Sequence, residues 1–242
     1  MLSLDRQNEL REAYRRANPG WRPATEVFAN WVRSNLRPES RILDLGCGRG
    51  GLVEQLDHSL DQVAGLDPDF LSLREHRLAG AQPPMTRVNG ASLRLPFAAG
   101  SFDLVFASWV LEHLAEPAID LCQIGRVLRP GGVFIFITPN KGHPLIGFNR
   151  LVGRIGGLQD RLVERLYGRA SADTYPAYYR ANDPAAIGRL ANDGGMELVE
   201  LKAIPDPTYL ALQPALFRLA SLLEQRLPAG KAIHLVGLAR RI

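Results

Sequence analysis

Cysteine is scarce in this chain. Its 242 residues hold two, Cys47 and Cys122, too few and too isolated for a disulfide framework or a structural zinc site. The five histidines (His58, His76, His113, His143, His234) show no pairing at helical spacing, so no metal is expected. Also missing is an apolar run of the ~18–20 residues that a membrane span needs. The opening stretch MLSLDRQNELREAYRR is charged from Asp5 onward. It lacks the apolar core of a signal peptide, and a cytoplasmic location is expected. Charge of one sign is not abundant either. Twenty-nine basic residues oppose 25 acidic ones, net +4, a weak argument for nucleic acid on its own.

What is present is a hydrophobic content of 46%, enough for one well-buried core, and a repeating order of strand and helix. Residues 5–17 carry a helical pattern that NPGW breaks. A second helix is predicted from about Ala24 to Asn35 and closed by Pro38, since proline cannot continue it. RILDLG reads as a first strand, and GLVEQL as the start of a helix. QVAGLD is a second strand ending in Asp67. PDFLSLREHRLAG is a helix with Pro68 near its first turn. MTRVNG and SFDLVFAS are strands three and four, the latter apolar enough for burial on both faces. A helix over 117–128 and a fifth strand, GGVFIFITP, follow, the latter after a turn at Pro130-Gly131-Gly132. This alternation predicts a Rossmann-like, doubly wound, mostly parallel α/β sheet, with ligands at the carboxyl ends of its strands.

After Asn140 the pattern changes. Residues 141–182 are basic, punctuated by glycine and rich in tyrosine. Alternation then resumes with a helix at 183–193, a strand at MELVELK, a helix near 212–226 and a last strand at AIHLVGLA. One domain is expected. Its core is 40–140 and 183–242, its N-terminal helices are 1–38, and its helical insertion after strand five is 141–182.

The stretch RILDLGCGRGG poses the question of the ligand. Gly46, Gly48 and Gly51 spell G-x-G-x-x-G, the fingerprint of a dinucleotide site. Gly46, Gly48 and Gly50 spell the looser G-x-G-x-G of other nucleotide sites. Glycines after a first strand let backbone N–H groups approach either ligand. Asp67, ending strand two, can accept hydrogen bonds from any ribose. The fingerprint alone is ambiguous. Asp44 discriminates. A carboxylate two residues before Gly46 would repel a pyrophosphate at that helix N-terminus. It would attract a ligand carrying an ammonium and a sulfonium, and S-adenosylmethionine carries both. The alternative is that Asp44 caps a turn, a position that aspartate favours.

LDLGCGRG, GLDPD, LRLPFAAGSFDLVFASWVLEHL and VLRPGGVFIFITPN occur in that order. On these four motifs, over roughly residues 40–140, the chain resembles class I S-adenosylmethionine-dependent methyltransferases, most closely the methyltransferase type 11 group. The resemblance implies about seven strands with an antiparallel last strand. It implies that Asp44, Gly46, Cys47 and Gly48 line the methionine part of S-adenosyl-L-methionine. Asp67 would hold the ribose hydroxyls, and Pro68 would lie near the adenine. Ala91 and Ser92 would edge the adenine, and Ser108 and Trp109 would sit beneath the methyl group. His113 belongs to the LEH stretch. The family commonly has an aspartate where this chain has Ala91, so the adenine amino group must be met by backbone, water or Asn89.

Methyl transfer is a direct displacement, and the enzyme chiefly aligns nucleophile, methyl and sulfur. A base is needed only where the nucleophile must lose a proton. His143 in NKGHPL, at the carboxyl edge of the sheet, is the candidate base; the alternative is a solvent-exposed loop histidine. Tyr175, Tyr178 and Tyr179 are candidate acceptor contacts, with Trp109 and His113 from strand four and Tyr14 and Trp21 from the N-terminal segment. The alternative for Tyr14 and Trp21 is that both simply pack the N-terminal segment onto the sheet. Strand four ends in ASWV, without the N/D-P-P-Y/F signature of many enzymes that methylate nitrogens of bases or glutamine. A small-molecule acceptor with an O-, C- or N-nucleophile is therefore expected: a natural product, a sugar or a lipid-linked molecule. The alternatives are an RNA or protein methyltransferase and a non-catalytic cofactor-binding module. No specific nucleic acid partner is expected. In the insertion, Leu151, Ile155, Leu158, Leu162 and Leu166 recur at helical spacing among basic residues. That pattern serves a lid helix, loosened by Gly153, Gly156 and Gly157, or contact of 141–169 with an anionic membrane surface.

Overall fold

The computed structural model describes residues 4–147, 175–207, 214–228 and 230–242. Seven strands form one sheet: β1 (Ile42–Leu45), β2 (Val63–Asp67), β3 (Thr86–Asn89), β4 (Phe102–Ser108), β5 (Leu128–Pro139), β6 (Met196–Ile204) and β7 (His234–Arg241). Their order is β3-β2-β1-β4-β5-β7-β6. Six run parallel, and β7 runs antiparallel to both of its neighbours, as the resemblance implied. Six helices accompany them among the described residues: α1 (Leu4–Ala17), α2 (Ala24–Ser34), α3 (Phe70–Arg74), α4 (Pro117–Val127), α5 (Pro184–Asp193) and α6 (Pro214–Arg226).

The period-2 alternation of the central strands sorts side chains into two cores. Ile42, Leu104, Phe106, Ile135 and Ile137 pack on Phe28 and Val32 of α2. Leu43, Leu45, Val105, Phe134 and Phe136 pack on Leu121 and Ile124 of α4 and Ile187 of α5. β1 is buried along its whole length, so its one carboxyl group, on Asp44, is forced into the interior. Helix starts follow capping rules. Asp183 accepts the Ala186 N–H at 2.8 Å with Pro184 behind it, and Asp69 accepts the Leu71 N–H at 2.9 Å.

Two predicted helices are shorter than expected. GLVEQL forms only a 3₁₀ turn over Val53–Gln55, because Glu54 folds back to accept the Gly51 N–H at 2.7 Å and the DHS turn follows at once. PDFLSLREHRLAG yields five helical residues; beyond them His76 accepts the Leu78 N–H through Nδ1 at 3.1 Å and ends the ladder. The Pro130-Gly131-Gly132 turn is absorbed into β5 as a bulge. Phe102 pairs with Leu128, Leu104 with Val133, and residues 129–132 loop out between them. The lid-or-membrane reading of the insertion rests on residues 151–166, which lie outside the described residues. Among the described residues, no helix is long and apolar enough to cross a membrane.

Gly237 of β7 pairs with Phe136 of β5, and a Cβ at 237 would overlap the fully buried Phe136 ring. Gly237→Ala is expected to destabilise the fold by about 1–3 kcal/mol, read as a lower urea midpoint at unchanged slope.

Candidate active site

The turn after β1 sits on the end of β2. Gly46 and Cys47 both direct their N–H groups at the Leu66 carbonyl, at 2.8 and 3.2 Å. The Gly48 N–H donates to Asp67 Oδ2 at 2.9 Å, and Asp67 Oδ1 accepts the Asp69 N–H at 2.8 Å. Gly46, Gly48 and Gly50 all have positive φ, whereas Gly51 does not. The alternate-glycine pattern is therefore the structural one. A side chain at Gly46 would also strike Val110, which follows β4, so this glycine lets two strand ends meet.

Asp44 lies beneath this turn at 4% exposure. Burial, reinforced by Glu54 and then Asp67, pushes its carboxyl group up to about 8. Three carboxyl groups thus converge on the glycine turn, an electrostatic setting that suits a cationic ligand and disfavours a pyrophosphate. Cys47 contributes no side chain. Its thiol turns inward against Gly65 and Met85, and burial pushes its pKa up. Pro68 continues the acidic loop, and Asn89 ties it to β3 by donating to the Asp67 and Pro68 carbonyls at 3.1 and 2.9 Å. That commits the Asn89 amide nitrogen and leaves Oδ1 as its acceptor for an adenine amino group. Ala91 and Ser92 open a 3₁₀ turn at the edge of the same cleft. Phe70 and Leu71, 60% and 58% exposed, add an apolar surface directly after this acidic loop. The sequence reading treated them only as helix residues.

Ser108 ends β4, and Trp109 follows in a left-handed backbone conformation at φ 59°. From here two groups of candidate residues separate. In the first, His113 shares a hydrogen bond at 2.9 Å with the Pro176 carbonyl and sets its ring edge-on to Tyr175 at 6.1 Å. The N–H groups of Tyr178 and Tyr179 reach the Glu112 carbonyl at 2.7 and 3.1 Å. Tyr179 is also left-handed, at φ 54°. Beneath them is a buried polar lattice: Thr138 donates to Glu112 Oε2 at 3.0 Å, and Asn182 donates to Thr138 Oγ1 at 2.6 Å. Burial pushes the Glu112 carboxyl group up.

The second group lies under α1. Tyr14 packs edge-on to Trp21 at 4.9 Å, and Trp21 donates to the Pro205 carbonyl at 2.8 Å. Burial, with Glu224 and Asp206 nearby, pushes the Tyr14 hydroxyl up. Trp109 sets its ring edge-on to His234 at 5.0 Å. Burial keeps His234 well below the ordinary histidine range, with Asp206 opposing.

His143 is not an exposed loop histidine. It is fully buried, its Nδ1 accepts the Leu145 N–H at 3.2 Å, and its Nε2 lies 3.2 Å from Glu224 Oε1. Among the described residues, Nε2 has no hydrogen-bond partner. Glu224, Asp206 and His234 are not among the candidate site residues of the sequence; they come from distant segments, and only the fold collects them.

A methyltransferase-domain family model matches residues 43–136, the span that carries the glycine turn, Asp44 and Asp67. The chain is a class I S-adenosylmethionine-dependent methyltransferase. It is 25% identical over 210 residues to a ubiquinone biosynthesis O-methyltransferase of Burkholderia pseudomallei, covering 81% of this chain and 86% of that protein. It is 31% identical over 168 residues to the protein of that name in Nitrosococcus oceani, covering 68% and 66%. Among solved structures it resembles the geranyl diphosphate C-methyltransferase of Streptomyces coelicolor, with a TM-score of 0.60, 15% identity and coverage of 90% and 81%. S-adenosylmethionine is the methyltransferase's cofactor, and the glycine turn with its buried acid fits it.

Two outcomes are expected in calorimetric titration. Asp67→Ala removes charge-assisted hydrogen bonds worth roughly 1.5–3 kcal/mol, so affinity for S-adenosylmethionine should fall about 10–100-fold. Asp44 is protonated in the free protein below pH about 8, and a cationic ligand favours its carboxylate. Binding should then release a proton, tighten with rising pH and level off above about 8, with Asp44→Asn abolishing that slope. Proton uptake, or binding that weakens as pH rises, would contradict this.

Proposed function

We propose that this methyltransferase acts on a small, flat acceptor that presents a hydroxyl group, held at the carboxyl ends of β4 and β5. The observation that carries this reading is the pair of aromatic residues in left-handed backbone conformation, Trp109 and Tyr179, on either side of the turn that bears Glu112. Bulky residues avoid this conformation, at a cost of order 1–3 kcal/mol each, and such strain concentrates at functional sites. Here it fixes two aromatic faces near the strand end that borders the cofactor turn. Tyr175, Tyr178 and His113 extend one wall; Tyr14 and Trp21 extend the other. The names of the two relatives, both O-methyltransferases, support a hydroxyl nucleophile, as does a strand-four end without the N/D-P-P-Y/F signature.

When bound, S-adenosylmethionine supplies a methyl group on a sulfonium, which is already a good leaving group. The protein's share is then alignment and exclusion of water. Asp44 and Asp67 anchor the two ends of the cofactor through charge and hydrogen bonds. Trp109 floors the transfer site, and Glu112, through Thr138 and Asn182, holds the turn that carries His113 in register with 175–182. His143 takes no direct part as a base in this scheme.

The check is release of S-adenosylhomocysteine with panels of aromatic hydroxyl compounds, amines, carboxylates, bulk RNA and peptides. Turnover is expected with hydroxyl compounds; turnover with RNA or peptides alone would overturn the reading. Tyr14→Ala and Tyr179→Ala should each lower kcat/KM for the acceptor about 10–100-fold while leaving cofactor affinity intact.

A further inference from the structure

Beyond Trp109, four ionisable side chains line the carboxyl edge of the sheet. His234 opens β7, Asp206 follows β6, His143 follows β5 and Glu224 projects from α6. All four are buried, and α1 closes over them with Tyr14 and Arg11. Arg11 lies 3.6 Å from Asp206, so that carboxylate has a cation at hand. Glu224 lies beside His143, whose Nδ1 accepts the Leu145 N–H. His143 Nε2 is 3.2 Å from Glu224 Oε1 without forming a hydrogen bond to it. Among the described residues, Glu224 Oε2 and His143 Nε2 are both buried with no hydrogen-bond partner. Leu145, Pro207, Ala220 and Leu223 pack around the pair. A buried carboxylate oxygen facing nothing is costly, and native proteins keep such a group where a ligand completes it.

Resting on the hydroxyl-acceptor reading above, we propose that Glu224 is the proton acceptor for an aromatic hydroxyl on the methyl acceptor. As the acceptor oxygen gives an electron pair to the methyl carbon, the carbon–sulfur pair returns to sulfur and the O–H proton passes to Glu224 Oε2. The hydroxyl grows more acidic as its oxygen loses electron density to the new bond, so a carboxylate suffices for an aromatic hydroxyl, where an alkyl alcohol would demand a stronger base. The surroundings suit a flat ring: Trp109 packs edge-on against His234, and Tyr14, which lies near Glu224, packs edge-on against Trp21. Reaching Oε2 requires the Leu145 and Leu223 side chains to give way, so binding includes a local rearrangement. Among the described residues, Tyr14, His143 and Asp206 lie around Glu224, and Asp206 is engaged with Arg11.

The test uses 4-nitrophenol, whose visible absorption distinguishes phenol from phenolate, and the full chain saturated with S-adenosylhomocysteine. Wild type should bind the probe as the phenol, and binding should weaken as pH rises through the probe's own ionisation. Glu224→Gln keeps the contact with His143 but removes the charge. It should bind the phenolate at least as well as the phenol, and kcat for an aromatic hydroxyl should fall about 10²–10⁴-fold at unchanged cofactor affinity. Should Glu224→Gln not fold, Glu224→Asp is measured instead and should lower kcat with the phenol preference kept. An identical preference and kcat in wild type and Glu224→Gln would overturn the role of Glu224 while leaving the acceptor reading intact. Failure of wild type to bind or methylate any aromatic hydroxyl, with cofactor binding intact, would overturn that reading itself.

Discussion

The site depends on how the glycine turn is fastened to the second strand. Two N–H groups share the Leu66 carbonyl and a third reaches Asp67 Oδ2. The last of these is charge-assisted and contributes roughly 1.5–3 kcal/mol. This places the end of β1 against the end of β2, so that Asp44 and Asp67 face one cleft. The price is conformational: three residues of the turn need positive φ, which glycine alone adopts without strain. Nearby segments adapt to the turn. Glu54 folds back onto Gly51 instead of extending a helix, and Asn89 spends its amide nitrogen on the loop that carries Asp67.

On the far side of β4 the organising element is polar and buried. Thr138, Glu112 and Asn182 come from three segments and form one chain of hydrogen bonds. The Asn140 side chain donates to the Gly230 and Ala232 carbonyls, both at 2.8 Å, and so ties the end of β5 to the approach to β7. In a low-dielectric interior these bonds are strong when made and costly when broken. They hold two strained aromatic residues at fixed positions on flexible-looking connecting chain. Rigid support beneath a loop site is what lets connecting segments carry chemistry.

The cofactor half was legible in the sequence because it is local. Alternating glycines, Asp44 two residues ahead and Asp67 at the end of the next strand all lie within one strand–turn–strand unit. Strand alternation likewise reads directly, since burial on both faces leaves runs such as DLVFAS. The acceptor half was not legible, because it is assembled from afar. Glu224 lies in a helix that reads as ordinary amphipathic sequence, and nothing near it in the chain announces His143. His143 itself was singled out for its position, but the carboxyl group beside it comes from a helix some eighty residues on (roughly a third of a chain this size). The short helices after β1 and β2 failed for a different reason: side chains of Glu54 and His76 compete for backbone N–H groups, and propensity does not see such local competition.

The two sides of the site handle buried carboxyl groups in opposite ways. Asp44 sits among acids, and burial makes its neutral form the resting one; a cation arriving from solvent restores the charge. Glu224 lies 3.2 Å from the buried His143 ring, and its Oε2 has no hydrogen-bond partner among the described residues. In the proposed scheme one acid meets a ligand that brings positive charge, the other a ligand that sheds a proton. Between them stands Trp109, tied to β5 through its N–H on the Ile137 carbonyl at 3.0 Å and to His234 through its ring. A displacement reaction needs this separation. Positive charge is consumed on one side of the transferred methyl group and a proton is shed on the other, and a single shared carboxylate could not serve both ends.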